Sequence, residues 1–155
     1  MIFSFLTKVF ISILLGAIIG FERELFHKPA GLRTNILVVL GSMLAAYISF
    51  CFANSNNVDV TRIASNILTG LGFIGAGVIL HSRGSVHGIT TAACVWICGI
   101  VGMAVGFGYY VEATIVSVMT FIILYWFGKF ERQYCKKRRE KLRFKSVKKV
   151  DEKGW

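Results

Sequence analysis

Charged and amide side chains at the edges of long apolar runs are the residues of this sequence best placed to do chemistry. Glu22, Arg23 and Glu24 close the first run, and Arg33, Thr34 and Asn35 open the second. Arg62 and Asn66 begin the third, and Thr90 and Thr91 begin the fourth. An ionisable group that enters a bilayer is costly, so it marks either a working site or an interfacial anchor. Both uses stay open for Arg23, Glu24 and Arg33. Lys8 and Glu112 read as anchors, Lys8 by running its apolar stem to the surface. No Asp, Glu or Lys falls near the middle of an apolar run. A small divalent cation holds its water tightly and prefers oxygen ligands, so a conduit for one needs midplane carboxylates or a filter of carbonyls.

The remaining chemical signals are weak. No Ser/His/Asp or Cys/His set and no P-loop is present, and His27, His81 and His87 all fall in connectors. Cys94 and Cys98 lie four apart and share a helical face as small packing residues; no CxxC pair occurs among the four cysteines. Gly70 to Gly75 spell GxGxxG, but a dinucleotide fingerprint needs a preceding strand and a soluble βαβ unit. The sequence therefore predicts no enzyme, no resident metal and no cofactor.

The elements that position these residues are membrane helices. Hydrophobic residues make up 55% of 155, and mean hydropathy is +0.63. A spanning helix needs roughly 20 mostly apolar residues. Candidate spans run over about 2–21, 35–52, 62–80, 89–107 and 111–127. The expected fold is all-α: a polytopic membrane protein with about five transmembrane helices. A membrane domain over 1–128 precedes a basic tail over 129–155. Sixteen of the eighteen Lys and Arg residues fall on one side of this arrangement. The positive-inside rule makes that side cytoplasmic, with the N-terminus outside and the C-terminus in the cytoplasm.

Helices in lipid associate through small residues and polar contacts. The third span separates into two stripes, one of Arg62, Ser65, Asn66, Thr69, Gly72 and Ala76, the other of Ile63, Ile67, Leu71, Ile74 and Val78. The small and polar stripe is expected to face protein. Gly70, Gly72, Gly75, Ala76 and Gly77 are the expected packing positions there, with Gly102 in the fourth span. The tail carries seven basic residues within ten: Lys136, Lys137, Arg138, Arg139, Lys141, Arg143 and Lys145. Beside a cytoplasmic span end such a cluster attracts anionic lipid, at about 1 kcal/mol per residue; a solvated tail that fixes topology is the plainer reading. Nucleic acid is not the expected partner of a chain tethered at the membrane.

Glu22-Arg23-Glu24, followed by Lys28-Pro29-Ala30-Gly31-Leu32-Arg33-Thr34-Asn35, resembles the first cytoplasmic loop of MgtC/SapB membrane proteins. Arg62-Ile63-Ala64 with the run from Gly70 to Ile79 resembles the family's third span. The run from Val86 to Ala93, with Trp96, resembles the start of its fourth. Three motifs in order cover about residues 15–127. The resemblance implies a multi-pass protein of the bacterial inner membrane. It implies association with magnesium limitation, stress adaptation and virulence, and a non-enzymatic regulator acting on a partner such as the F-type ATP synthase or a transporter. The other function kept open is a small oligomeric ion transporter or channel, for magnesium or another cation. A homo-oligomer fits either function, and a scaffold with no activity of its own is a third reading. Two departures stand out. The long form's ACT-like C-terminal domain has only the basic tail in its place, and the Asn common at position 90 is Thr90.

Overall fold

The computed structural model describes the backbone of residues 2–52, 59, 61–82 and 85–151. Side chains are described within these as far as Phe130, save those of Thr61, Ile63 and residues 80–85. The chain divides into two compact units, Met1–Phe121 and Ile122–Trp155. Five helices occur in the described residues: α1 (Ile2–Leu25), α2 (Leu32–Cys51), α3 (Thr61–Val78), α4 (Ile89–Phe107) and α5 (Tyr110–Asp151). Among the described residues four stretches are long and apolar enough to cross a membrane: Ile2–Leu25, Leu32–Cys51, Ile89–Phe107 and Tyr110–Phe130. At 1.5 Å per residue the shortest of them reaches about 28 Å, close to the ~30 Å of a hydrocarbon core. The apolar portion of α3, Ala64–Val78, is shorter.

Local chemistry sets the helix ends. Past Leu25 the chain turns with His27 at φ 49°. His27 N–H then reaches the Glu24 carbonyl and Lys28 N–H the Arg23 carbonyl. This is a Schellman closure with histidine in the left-handed position that glycine usually takes. Pro29 and Ala30, the latter at φ 56°, complete the break before α2. α4 ends the same way, with Gly108 at φ 96° and Tyr109 N–H bonded to the Ala104 carbonyl. Between α3 and α4 the sequence reading has only a connector. The structure instead has a two-stranded antiparallel hairpin, β1 (Leu80–Ser82) and β2 (Ser85–His87), in which His81 pairs with Val86.

Within the first unit α4 is the central helix, packed against α2, α3 and α1. Its Val95, Cys98, Val101 and Val105 are buried with Val39, Met43 and Ala46 of α2 and Ile19 of α1. Backbones approach closely at glycine. A Cβ on Gly16 would lie 2.8 Å from Ile36 Cα, and one on Gly20 would lie 2.8 Å from Leu32 Cα. Gly102 meets the Val39 carbonyl and Gly106 meets Ala46 and the Met43 carbonyl in the same manner.

The stripe expected to face protein on α3 faces outward instead. Arg62, Ser65, Asn66, Thr69, Gly72 and Ala76 are exposed, whereas Leu71 and Gly75 are buried. A Cβ on Gly70, Gly72 or Gly77 would meet nothing within 4 Å, while one on Gly75 would sit 3.4 Å from Ala92 Cβ. Gly75 and Gly102 therefore pack within the chain, and Gly70, Gly72, Ala76 and Gly77 do not. The reason is that Leu71 reaches across to Gly99 and takes the contact with α4, which turns the smaller face away. On α5, Ala113 and Ser117 are buried, and Ser117 returns its hydroxyl proton to the Ala113 carbonyl.

Candidate functional site

Three helices bring their polar residues together at one end of the bundle. Antiparallel α1 and α4 place the last turn of α1 beside the first turn of α4, and the short loop 26–31 returns α2 to the same level. Glu22, Arg23, Asn35 and Thr91 converge there, each at most 3% exposed. Arg23 Nη2 donates to Thr91 Oγ1 at 2.6 Å. Its Nη1 stands 3.6 Å from Glu22 Oε2, an ion pair too long to be a hydrogen bond. Glu22 Oε2 and Arg23 Nε have no hydrogen-bond partner. A buried pair of this kind gains Coulomb energy only against a large desolvation cost, so unbonded atoms in it are expensive.

Asn35 is fixed from both sides. Its amide nitrogen donates to the carbonyls of Ala30 at 2.6 Å and Gly31 at 2.9 Å, which holds the loop onto α2. Its Oδ1 therefore points inward, where it accepts from the thiols of Cys98 at 3.1 Å and Cys94 at 3.7 Å. The two cysteines expected only to pack thus also bind the amide that organises the loop. Glu24 does a different task nearby: its carboxylate accepts the Leu32 N–H at 3.1 Å and covers the start of α2. An acceptor there also complements the positive end of the helix.

The opposite end of the bundle holds a residue that the sequence reading takes for a surface anchor. Lys8 is 7% exposed, and its ammonium donates to the carbonyls of Val105 at 3.0 Å and Gly106 at 2.9 Å. The Schellman turn pairs the Val105 carbonyl with Gly108 N–H, and Lys8 adds a donor to that carbonyl and to the Gly106 carbonyl at the negative end of α4. The rings of Tyr110 and Tyr47 lie 5.1 and 5.9 Å from the same nitrogen, within cation–π range. One turn deeper, Ser12 is fully buried with its hydroxyl unpartnered. The signal was present in the spacing: Lys8, Ser12, Leu15 and Ile19 share one face of α1, and all are buried. α1 thus offers a cation to each end of α4.

The other candidate residues lie apart from this cluster. Arg33, Thr34 and Thr90 are exposed near it, and Arg62 and Asn66 are exposed on α3. The backbone of residues 136–145 is helical within α5, but the side chains of the seven basic residues lie outside the described ones. Among the described residues no three His, Cys, Asp or Glu side chains converge as a metal site.

Comparison with known proteins gives a match to the MgtC family over residues 9–133. A protein of Escherichia coli K12, named YhiD and described as a proposed magnesium transporter, is 38% identical over 127 residues. Protein MgtC of Brucella abortus is 42% identical over 105 residues, and Protein SapB of Bacillus subtilis is 40% identical over 115. These alignments take in 78%, 68% and 70% of this chain but 59%, 43% and 50% of the relatives. The chain thus spans about half the length of the curated relatives it matches. No solved structure matches it.

Proposed function

The chain belongs to the MgtC family and is a multi-pass protein of the bacterial inner membrane, and on that premise we propose that it is a non-enzymatic regulator linked to magnesium limitation. Its target is a partner membrane complex, with the F-type ATP synthase as the first to test. The observation that carries this reading is that both cations inside the bundle, Lys8 and Arg23, are held by groups of the chain itself. Lys8 occupies the carbonyls that a passing cation would use, and Arg23 occupies Thr91. A fixed ammonium at one end and a fixed guanidinium at the other repel a divalent cation along the α1–α4 seam. The basic tail holds anionic lipid in this reading.

The relative in E. coli is described as a proposed magnesium transporter, so transport is the reading to be excluded. Purified protein in sealed liposomes is expected to give no magnesium flux above empty vesicles, even with an inside-negative potential. A tagged chain purified in mild detergent is expected to carry ATP synthase subunits with it. Saturable magnesium influx that is lost in Glu22→Gln would replace the regulator with a transporter.

A further inference from the structure

We propose that Cys94, Cys98 and Asn35 form a binding site for a thiophilic divalent cation of the zinc class. Cys94 and Cys98 stand four residues apart on α4, so their sulfurs share one side of the helix. Both thiols reach the same atom of α2, Asn35 Oδ1, at 3.7 and 3.1 Å. None of the three residues is more than 3% exposed.

Packing alone does not call for a shared acceptor between two small side chains. Asn35 is held for this task from behind. Its amide nitrogen is bonded to the Ala30 and Gly31 carbonyls, which turns Oδ1 toward the sulfurs. Outer hydrogen bonds of this kind are what orient the ligands of a metal. The spacing agrees. A thiolate about 2.3 Å from zinc and an oxygen about 2.1 Å from it, at a tetrahedral angle, stand roughly 3.6 Å apart. The two sulfur–oxygen distances lie on either side of that value. An ion can therefore replace the two thiol protons with small movements of three side chains.

Donor chemistry and charge select the ion. Sulfur donors favour zinc and Cu(I), whereas magnesium prefers oxygen and keeps its waters. A divalent ion that displaces both thiol protons leaves the net charge as it was, because two thiolates cancel it. The surroundings supply no further charge: Glu22 and Arg23 act on Cys94 with opposite signs and pair with each other at 3.6 Å. Cu(I) would leave one negative charge uncompensated in a sealed site, which is costly. Three donors are one short of a structural zinc site, so the affinity is expected to fall below that of such sites.

The test uses the full chain in detergent with a non-thiol reductant. It is made in cells grown with added zinc, because the donors are sealed from solvent. Native mass spectrometry counts the metal, and cadmium exchanged into the site reports thiolate ligation by its charge-transfer absorption. One zinc per chain is expected. The cadmium band is expected to persist in the double variant Cys51→Ser, Cys135→Ser, in which Cys94 and Cys98 are the only thiols. Asn35→Ala keeps both thiols and is expected to weaken zinc binding about tenfold, and Cys98→Ser more than the roughly 10–100-fold that follows loss of a supporting bond. Absence of zinc and of the band in the unaltered chain, equal binding by Cys98→Ser, or loss of the band in the double variant would overturn the proposal. Equal binding by Asn35→Ala would overturn the amide as third donor, and binding of Cu(I) without zinc would overturn the divalent ion. If Cys98→Ser does not fold, the band in the double variant decides alone.

Discussion

Lys8 and Arg23 meet opposite ends of one helix dipole, and the physics of the two contacts differs in sign. Lys8 brings positive charge to carbonyls, where both the hydrogen bonds and the dipole favour it. Arg23 brings positive charge to the amide end and holds its place through Thr91 and a loose pair with Glu22. Lys8→Met keeps the length and apolar body of the side chain but removes the ammonium. It leaves the Gly106 carbonyl without its donor, so a loss of about 1–3 kcal/mol is expected. Thermal unfolding in detergent checks this, with Thr7→Val at the neighbouring exposed position as a control of small effect. A Lys8→Met chain as stable as the unaltered one would return Lys8 to the role of a surface anchor. The sequence reading failed at this residue because it weighed Lys8 alone. Its position four, seven and eleven residues before Ser12, Leu15 and Ile19 marks an inward face.

Among the helices, closeness of approach is decided at a few small residues. Gly16 and Gly20 let α1 lie on the backbone of α2, and Gly102 and Gly106 do the same for α4. In lipid such contact supplies the association that water would otherwise drive. Three substitutions separate this from the arrangement of α3. Gly20→Leu forces a branched side chain against Leu32 Cα and is expected to cost at least about 1–3 kcal/mol. Leu71→Ala empties a buried contact with α4, at about 2–5 kcal/mol. Gly72→Leu adds bulk to open space and is expected to leave the fold of the single chain unchanged. Expression and unfolding midpoints of the three variants rank them. A Gly72→Leu variant as damaged as Gly20→Leu would mean that the outer face of α3 is covered in the working protein.

At the scale of the whole molecule the governing quantity is the distribution of charge. With the spans counted in sequence order, sixteen of the eighteen Lys and Arg residues fall in residues 22–34, 81–88 and 129–155, which the positive-inside rule makes the expected cytoplasmic side. Reporters that work only in the cytoplasm are expected to be active when fused after Lys28 or Lys145. Reporters that work only outside it are expected to be active after Asn56 or Gly108. Cytoplasmic activity at Asn56 would invert the assignment of α3 and with it the level of the α4 N-terminus. The apolar portion of α3, Ala64–Val78, makes this the most informative fusion, since at about 1.5 Å per residue it falls short of a ~30 Å hydrocarbon core.

The sequence by itself determined that this is a helical membrane protein, because runs of about 20 apolar residues leave the backbone no other way to satisfy its polar groups in lipid. It also brought Glu22, Arg23, Asn35 and Thr91 forward, because such residues at span ends are rare and costly. Only the tertiary structure decided which of these meet. Their convergence depends on α1 and α4 running antiparallel while both lie on α2 at glycine contacts, and it joins residues 68 apart in the chain. It also decided which way α3 turns. Both of its stripes satisfy helical periodicity, and the choice rests on the reach of Leu71 to Gly99, which no property of α3 alone contains. Lys8 was settled in the same way: whether a lysine near a helix start runs to water or into the bundle depends on whether acceptors wait there, and the Val105 and Gly106 carbonyls at the end of α4 supply them.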